Sequence, residues 1–363
     1  MTPALYVAAG GGGDAIAATM LAARDVGSEK PCIATYAWDR LLIDPLPGPR
    51  SIDDFDGLTM HTATVAEITP DTAPRAPAGS TLPRLAGEID ARLFLLDPYT
   101  GAVGMARQLT DMAVHLGCSR LVLVDVGGDI LGHGDEPELR SPLADSLALV
   151  ACTLTDLPCR VLVAGAGLDG ELTEAQVISR CQDHGAQQQA PITADEAAPF
   201  RPLFEWHPSE VTGLLVAAAT GHRGTVEIRD QGLPIHLTDT SAFVYELPPK
   251  TLISTNAFAG GLNSSKTLED IEQVIRSVRI STEIDYERNK NRSTPTACSH
   301  ETVSRDQLET ATKEARSRGS HYVTIRRFAE LLDIQPRYFD SFRAELRLHD
   351  SGRYNPPLWA VCH

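Results

Sequence analysis

Short apolar runs alternate with glycine-containing loops and helical patterns over the first half of the chain. The run at residues 4–9 leads into four glycines, then Asp14 as a candidate N-cap, then an apolar helical pattern at 15–23. The same order of strand, loop and helix recurs three times. The later predicted strands are 91–96, 120–126 and 160–164, with helices ending near residues 116, 155 and 181.

Four successive strand–helix units predict a parallel sheet, because parallel neighbours need crossover connections and helices provide them. The strands are apolar on both faces, which is typical of a sheet covered on both sides. We therefore expect an α/β fold of the Rossmann-like, doubly wound type, with a mainly parallel sheet and helices on both faces. The proline- and glycine-rich segments between the first two units are predicted to be long loops.

The second half of the chain does not continue the alternation of strand and helix. We predict a helix at 208–219, strands at 224–228 and 235–247 that extend the sheet, and a helix at 268–277. The predicted organisation is an α/β domain at 1–290, with core units in 1–182 and later elements in 200–290, and a small helical C-terminal appendage at 291–363.

The appendage has helix signals of its own. Ser304 and Gln307 have the spacing of a capping box before a helix that reaches about residue 318. Two short helices follow at 325–332 and 336–346, with the apolar spacing of a helix-turn-helix. A helical cap on the main domain or a dimer contact has the same pattern.

Composition narrows the function classes. The chain has 363 residues, 42% hydrophobic and 22% charged, and no apolar stretch long enough to predict a membrane span. Seven cysteines without a C-x-x-C pair predict reduced thiols and a cytoplasmic protein. A net charge of −16 makes nucleic acid an unlikely partner. We expect a small-molecule substrate, no membrane partner and, as an option, a homo-oligomer.

Each predicted strand end carries glycine and an acid, at the edge where open α/β sheets bind ligands. Acids held together there suit general acid/base chemistry or coordination of Mg²⁺ or Mn²⁺ by oxygen. We predict Asp129 as the central base or ligand, with Asp125, Asp169 and Glu171 as catalytic partners. Each of these acids could instead have a purely structural role, in which it stabilises its own loop or caps a helix. Candidate metal ligands are Asp129, Asp135 and Glu136.

The glycine loop after the first strand can bring backbone amides to a ligand at a helix N-terminus. The orientation of Asp14 determines which ligand the loop can bind. If its carboxylate caps the helix, an anion can still bind; if it points into the pocket, it repels phosphate and attracts a cation. The dinucleotide pattern G-x-G-x-x-G is incomplete, since Ala15 holds its last position. The predicted substrate-binding residues are Gly10, Gly11, Gly12, Gly13, Asp14, Asp97, Tyr99, Thr100, Gly127, Gly128, Asn263 and Lys266.

Several separate motifs carry a family resemblance: GGGGD, DVGGDIL with a downstream SPLAD, GAGLDGELT and STEIDYER. Together they resemble the uncharacterised family catalogued as domain of unknown function 1152, over about residues 1–290. That resemblance implies no reaction. The segment DPYTGAVGMARQL, followed by a strand ending in Asp125, is locally similar to D-glutamate cyclase, a metal-assisted enzyme acting on a small amino acid.

Three hypotheses follow. The first is an enzyme that transforms a small polar metabolite by carboxylate acid/base chemistry, with or without a divalent ion, as a cyclase, lyase or hydrolase in biosynthetic metabolism. The second is a ligand-sensing regulator whose tail has the helix-turn-helix-like segment. The third is a nucleotide-binding protein that uses the N-terminal glycine loop.

Overall fold

A computed structural model describes residues 3–25, 30–293 and 303–362 of the chain. In chain order its strands are β1 (Ala4–Gly11), β2 (Cys32–Tyr36), β3 (Phe55–Asp56), β4 (Thr59–Met60), β5 (Ala66–Ile68), β6 (Ala73–Pro74), β7 (Arg92–Leu96), β8 (Arg120–Val126), β9 (Cys159–Ala164), β10 (Gln187–Gln189), β11 (Gly224–Ile228), β12 (Leu233–Leu237), β13 (Val244–Leu247), β14 (Tyr322–Thr324), β15 (Tyr354–Asn355) and β16 (Leu358–Ala360).

In the same order, the helices are α1 (Gly13–Ala22), α2 (Arg40–Ile43), α3 (Leu82–Glu88), α4 (Gly101–Leu116), α5 (Pro142–Leu154), α6 (Glu174–Asp183), α7 (Ala194–Ala197), α8 (Glu210–Ala219), α9 (Arg229–Gly232), α10 (Pro249–Thr255), α11 (Ala259–Leu262), α12 (Leu268–Val278), α13 (Glu283–Ser293), α14 (Arg305–Ser317), α15 (Ile325–Leu331) and α16 (Phe339–His349). Short 3-10 helices lie at Ile52–Asp54, Pro98–Thr100, Asp129–Leu131, Ala198–Glu205 and Pro336–Tyr338. None of the described helices is both long enough and apolar enough to cross a lipid bilayer.

The large sheet has nine strands in the order β10-β13-β9-β8-β1-β2-β7-β5-β4. Its five central strands, β9 to β7 in that order, run parallel. The strands at both edges are antiparallel to their neighbours, so the sheet is mixed. The chain leaves β1 toward β2 and β7 on one side, and later toward β8 and β9 on the other. The carboxyl ends of β1 and β8 therefore flank the point where the strand order reverses.

Alternating residues of β1 enter two different apolar cores. Leu5 and Val7 pack with the apolar faces of α4, α5 and α12, while Tyr6 and Ala8 pack with those of α1, α3 and α8. Side chains point alternately to opposite faces of a strand, so the central strand is apolar throughout because both faces are covered. The predicted α/β class is confirmed, as are the strands predicted at 4–9, 91–96, 120–126 and 160–164.

Two parts of the sheet differ from the sequence prediction. Strand β2 lies between β1 and β7 and comes from a part of the chain for which we predicted no element, so the parallel core has five strands instead of four. The predicted strand 235–247 is interrupted by a turn, in which the Thr238 amide donates to the Ser241 hydroxyl at 2.9 Å. Only β13, its second half, extends the large sheet.

The described C-terminal residues do not form helices alone. Strands β14, β16 and β15 join β11 and β12 in a second sheet of order β12-β11-β14-β16-β15. Strand β14 runs parallel to β11 and antiparallel to β16. Helices α14, α15 and α16 pack on a third apolar core around Trp359. The prediction of a purely helical appendage is therefore wrong, because the short strands after residue 320 complete a sheet begun by β11 and β12.

Glu227 on β11 fixes this second sheet to the loop before β14. Its side chain is only 4% exposed and accepts hydrogen bonds from Arg318 Nε at 2.9 Å and from Ser320 Oγ at 2.6 Å. We expect Glu227→Ala to lower the free energy of unfolding by about 1–3 kcal/mol, because it leaves the buried Ser320 hydroxyl without its acceptor and removes the partner of the half-exposed Arg318 guanidinium. Chemical denaturation measures this loss. The exposed Glu314→Ala serves as control, and equal losses in the two variants would contradict the assignment.

Candidate functional site

The glycines between β1 and α1 permit close approach of other protein segments. A side-chain carbon on Gly11 would lie 2.5 Å from the Trp38 carbonyl oxygen, and one on Gly13 would lie 2.1 Å from Ser209 Oγ. Gly12 has a φ of +36°, a conformation that favours glycine. Contacts within the protein thus account for these three glycines, and phosphate binding is not needed to explain them.

Asp14 follows this loop but does not cap α1. The helix begins at Gly13 without a side-chain cap, and Asp14 Oδ2 instead accepts a hydrogen bond from the Gly10 amide at 2.8 Å. One carboxylate oxygen each of Asp14, Asp125 and Asp145 lie within 4.8 Å of one another. Of the two alternatives for Asp14, the structure has the inward one, which disfavours an anion at this loop.

The end of β8 brings two further acids to this place. Asp125 is fully buried, and among the described residues its carboxyl group has no hydrogen-bond partner other than the neighbouring carboxyl group of Asp129. Asp129 begins the 3-10 helix after the strand and also accepts a long hydrogen bond from Ser141 Oγ, at 3.4 Å. Between them, a side-chain carbon on Gly127 would lie 2.2 Å from Asp169 Oδ2, so this glycine lets the loop after β9 approach β8.

The loop after β9 supplies Asp169 and Glu171, which are buried but differently satisfied. Glu171 accepts the amides of Arg140 and Ser141 at 2.6 and 2.9 Å and the Ser141 hydroxyl at 2.5 Å. Asp169 accepts the Glu171 amide at 2.8 Å through Oδ1, with a further contribution from the Leu172 amide, and no donor within hydrogen-bond distance of its Oδ2 is found in the described part of the chain. Hydrogen bonds within the protein thus hold Glu171 in place, while one carboxylate oxygen of Asp169 has no donor.

Two more carboxyl groups complete the site, and neither was among the predicted site residues. Asp145 lies in the first turn of α5, and Glu283 begins α13 and accepts the Leu143 amide at 2.8 Å. Both are buried, and each has an oxygen without a donor among the described residues. The carboxylate cluster, as we name it, consists of Asp14, Asp125, Asp129, Asp145, Asp169, Glu171 and Glu283.

Burial and mutual repulsion keep protons on this cluster. Burial raises the pKa of Asp14 to about 7, and burial together with the Glu171 charge raises that of Asp169 to about 7. Burial also raises the pKa of Glu283 to about 7. The pKa values of Asp125, Asp129 and Asp145 are raised well above the usual range, again by burial first and by neighbouring carboxylates second.

The donor set fits a divalent cation. Two oxygens that share one Mg²⁺, Mn²⁺ or Ca²⁺ at roughly 2.0–2.6 Å lie at most about 5 Å apart, and the oxygens of Asp14, Asp125 and Asp145 meet this limit. The bare oxygens of Asp125 and Asp145 are buried acceptors, which a cation would satisfy. In the described residues, no lysine or arginine forms an ion pair with any member of the cluster.

The structure does not gather the predicted metal ligands Asp129, Asp135 and Glu136. Asp135 and Glu136 group with His133, away from Asp129. Glu136 pairs with Arg180 at 2.5 Å and accepts the His133 and Gly134 amides. Although burial raises it, these hydrogen bonds lower the pKa of Glu136 to about 2. An internal arginine already neutralises this carboxylate, and the metal role of Asp129, Asp135 and Glu136 stays a prediction.

The remaining predicted substrate-binding residues stabilise loops. Asp97 accepts the Ile52 and Tyr99 amides at 3.2 and 3.0 Å, and Thr100 Oγ1 donates to the Asp97 carbonyl at 3.0 Å. Asn263 and Lys266 are exposed and flank Ser265. Ser265 Oγ accepts the Ala102 amide at the start of α4, at 3.0 Å. A side-chain carbon on Gly128 would lie 2.7 Å from Val177 Cγ2, so this glycine allows close packing against α6. Among the described residues, no hydrogen bond joins any of these side chains to the carboxylate cluster, so their substrate role stays a prediction.

Comparison with known proteins places the chain in a family. Residues 5–291 match the family described as protein of unknown function, DUF1152. The chain belongs to this family. No curated protein and no solved structure matches it. Because the family description carries no reaction, the function of this DUF1152 protein has to be argued from the geometry of the carboxylate cluster.

The raised pKa values predict that the cation-free protein loses stability as pH rises. Glu283 has a folded-state pKa of about 7 against an ordinary value of 4.5, so the folded state binds its proton more tightly over that range. The free energy of unfolding should therefore fall between about pH 4.5 and 7, by roughly 3 kcal/mol from this residue.

Urea denaturation with EDTA at pH 5 and pH 8 measures this loss. Glu283→Gln removes the titrating group, so the variant should match the parent at pH 5 and exceed its stability at pH 8. The exposed Glu269→Gln is the matched control. If Glu283→Gln and Glu269→Gln lose the same stability between the two pH values, the buried-proton interpretation of Glu283 is wrong.

Proposed function

We propose that this protein is an enzyme that holds a divalent cation between Asp14, Asp125 and Asp145 and transforms a small polar metabolite by carboxylate acid/base chemistry. One observation carries the proposal: buried carboxylate oxygens without donors lie together where β1 and β8 end and where α5 begins. A fold has no structural use for like charges gathered in this way, because each raises the cost of ionising the others.

Mg²⁺ and Mn²⁺ are the cations that the donor set favours, since all three ligands are hard carboxylate oxygens and no thiol or imidazole joins them. When bound, such an ion polarises a carbonyl or lowers the pKa of a coordinated water. Asp14 is the partly exposed member of the three. Asp125 and Asp145 close the site from the protein interior.

Asp129 is the best candidate for the base. It shares a hydrogen bond with Asp125 and accepts a long one from Ser141, and its pKa is raised by burial and by its acidic neighbours. A carboxyl group of raised pKa exchanges protons near neutral pH, as general acid/base catalysis requires. Glu171, which accepts three hydrogen bonds, holds Ser141 in place and acts as a positioning residue. Cyclase, lyase and hydrolase reactions all use such a centre.

The position of the cluster supports a Rossmann-like, doubly wound interpretation of the large sheet. The parallel strands follow the order β7-β2-β1-β8-β9, and helices lie against both faces. In sheets of that type, ligands bind at the carboxyl ends where the strand order reverses, between β1 and β8 in this chain. The cluster occupies that crevice.

A regulatory role is the second candidate, because the C-terminal elements follow the order helix, strand, two helices and a hairpin. This is the order of a winged helix-turn-helix, with α16 in the place of the recognition helix. However, Arg347 of α16 pairs with Glu205 at 2.5 Å, and Asn355 of the hairpin bonds to Arg201 at 2.8 Å. Both surfaces that would meet DNA thus contact the rest of the chain, and binding of the full chain to duplex DNA, measured by fluorescence anisotropy, tests this candidate directly.

Mn²⁺ binding to the EDTA-treated full chain tests the primary proposal. We expect one site per chain, with proton release that increases as pH falls below about 7, because the cation displaces protons from Asp14. Asp145→Asn should weaken Mn²⁺ binding at least about tenfold. Asp135→Asn, in the acidic group around His133, should leave it unchanged. Calorimetry in two buffers measures affinity and proton release together; loss of binding in Asp135→Asn instead would overturn the assigned site.

Asp129→Asn separates catalysis from cation binding. The variant keeps the shape of the side chain and removes its capacity to take a proton. We expect Mn²⁺ affinity within about threefold of the parent and turnover reduced by roughly 10²–10⁴, the usual contribution of a general base. The substrate for this assay comes from a thermal-shift screen of amino acids, amines and nucleotides with Mn²⁺ present. Full turnover by Asp129→Asn would remove it from the reaction.

A further inference from the structure

The carboxylate cluster contains more carboxyl groups than one divalent cation can bind. Three of its members would share the cation, and Glu171 is stabilised by three hydrogen bonds. Against the larger effect of burial, two guanidinium groups lower pKa values in the cluster through space, Arg229 that of Asp169 and Arg40 that of Glu283. In the described part of the chain, both form their ion pairs with acids outside the cluster, Arg40 with Glu287 and Arg229 with Glu210. No ion pair is therefore described for Asp129, Asp169 or Glu283.

Asp169 is the member of the cluster whose hydrogen bonding is most clearly incomplete. Its side chain is 7% exposed, and its Oδ2 has no donor in the part of the chain that the structure describes. The carboxylate packs against the Gly127 backbone, where a side-chain carbon would stand 2.2 Å from Oδ2, and this contact supplies no hydrogen-bond donor to that oxygen. Asp129 interacts electrostatically with it across the same glycine turn. A buried acceptor left bare is costly, and a charged donor offsets that cost best.

We propose that the ligand of this centre is an organic cation, whose ammonium or guanidinium group is bound by Asp169 and Asp129 beside the divalent ion. The inference rests on the proposed cation site and deepens it. An ammonium group brings three N–H donors and one positive charge, which matches two carboxylates with vacant oxygens. A phosphate or a second carboxylate would add repulsion and supply no donor.

The backbone around the cluster also favours a positively charged ligand, because its amide donors are already used. The amide of Gly10 is taken by Asp14 and that of Glu171 by Asp169, so neither donor is left for an anion. Ser141, the nearest hydroxyl, already donates to Glu171. The centre therefore offers acceptors almost exclusively. Specificity for a cationic amine over an isosteric alcohol or acid follows, because only the amine satisfies the acceptors and balances their charge.

The test uses the full chain with saturating Mn²⁺ at pH 7.5 and a panel of four-carbon probes. Putrescine and agmatine carry the proposed groups, 1,4-butanediol is the neutral isostere, and succinate and inorganic phosphate are the anions. We expect putrescine or agmatine to bind at least about tenfold more tightly than the diol or the anions in calorimetry. Asp169→Asn should weaken amine binding at least about tenfold and leave Mn²⁺ affinity within threefold.

The exposed Asp156→Asn changes net charge equally and should alter neither affinity. Equal amine binding by Asp169→Asn and the parent would overturn the proposal, as would a preference for succinate or phosphate. Amine affinity that falls as Mn²⁺ concentration rises would also overturn it, since the two cations would then compete for one place. Failure of Mn²⁺ itself to bind would instead sink the proposed function, so the two outcomes are distinguishable.

Discussion

Repulsion among seven carboxyl groups that meet at the ends of β1, β8 and β9 is the constraint on which the site depends. Charges that share a poorly hydrated space must be protonated or balanced. The backbone balances part of this set by fixing one oxygen of a side chain and leaving the other. Asp169 and Glu283 both have this arrangement, with amides on Oδ1 and Oε1 and a bare second oxygen. The protein thus orients these carboxylates without neutralising them, which preserves them for a cation or a proton.

The second sheet contributes to the site through α8. Ser209, which caps that helix, lies against Gly13 of the glycine loop. Glu210, in its first turn, accepts hydrogen bonds from the Arg229 side chain at 3.0 Å and from the Thr324 hydroxyl of the C-terminal unit. A buried carboxylate that joins three segments resists separation of any one of them. The C-terminal unit therefore helps to hold the loop that carries Asp14, and removing it would disturb the site as well as the second sheet.

The sequence predicted what depends on local pattern and missed what depends on distant contacts. The apolar runs of β1, β7, β8 and β9 are long enough to identify, and the acids that follow β8 and β9 lie in the cluster. Strand β2 was missed because five residues are too few to show a clear hydrophobic period, and β14 to β16 are only two or three residues long. Glu283 was missed because its partner, the Leu143 amide, is 140 residues away in sequence. The ion pair between Glu136 and Arg180 was equally invisible, because the two residues are far apart in the chain.

The glycine loop shows how one side chain changes the meaning of a familiar pattern. Four glycines before a helix predict an anion site, because backbone amides and the helix dipole both favour negative charge. In this chain the pattern precedes an acid that turns away from its own helix, occupies the Gly10 amide and faces Asp125. The glycines are then explained by the approach of Trp38 and Ser209. Asp14 and its neighbours make this end of the sheet acidic, so a glycine loop of the kind that often binds phosphate here borders a cluster of carboxyl groups.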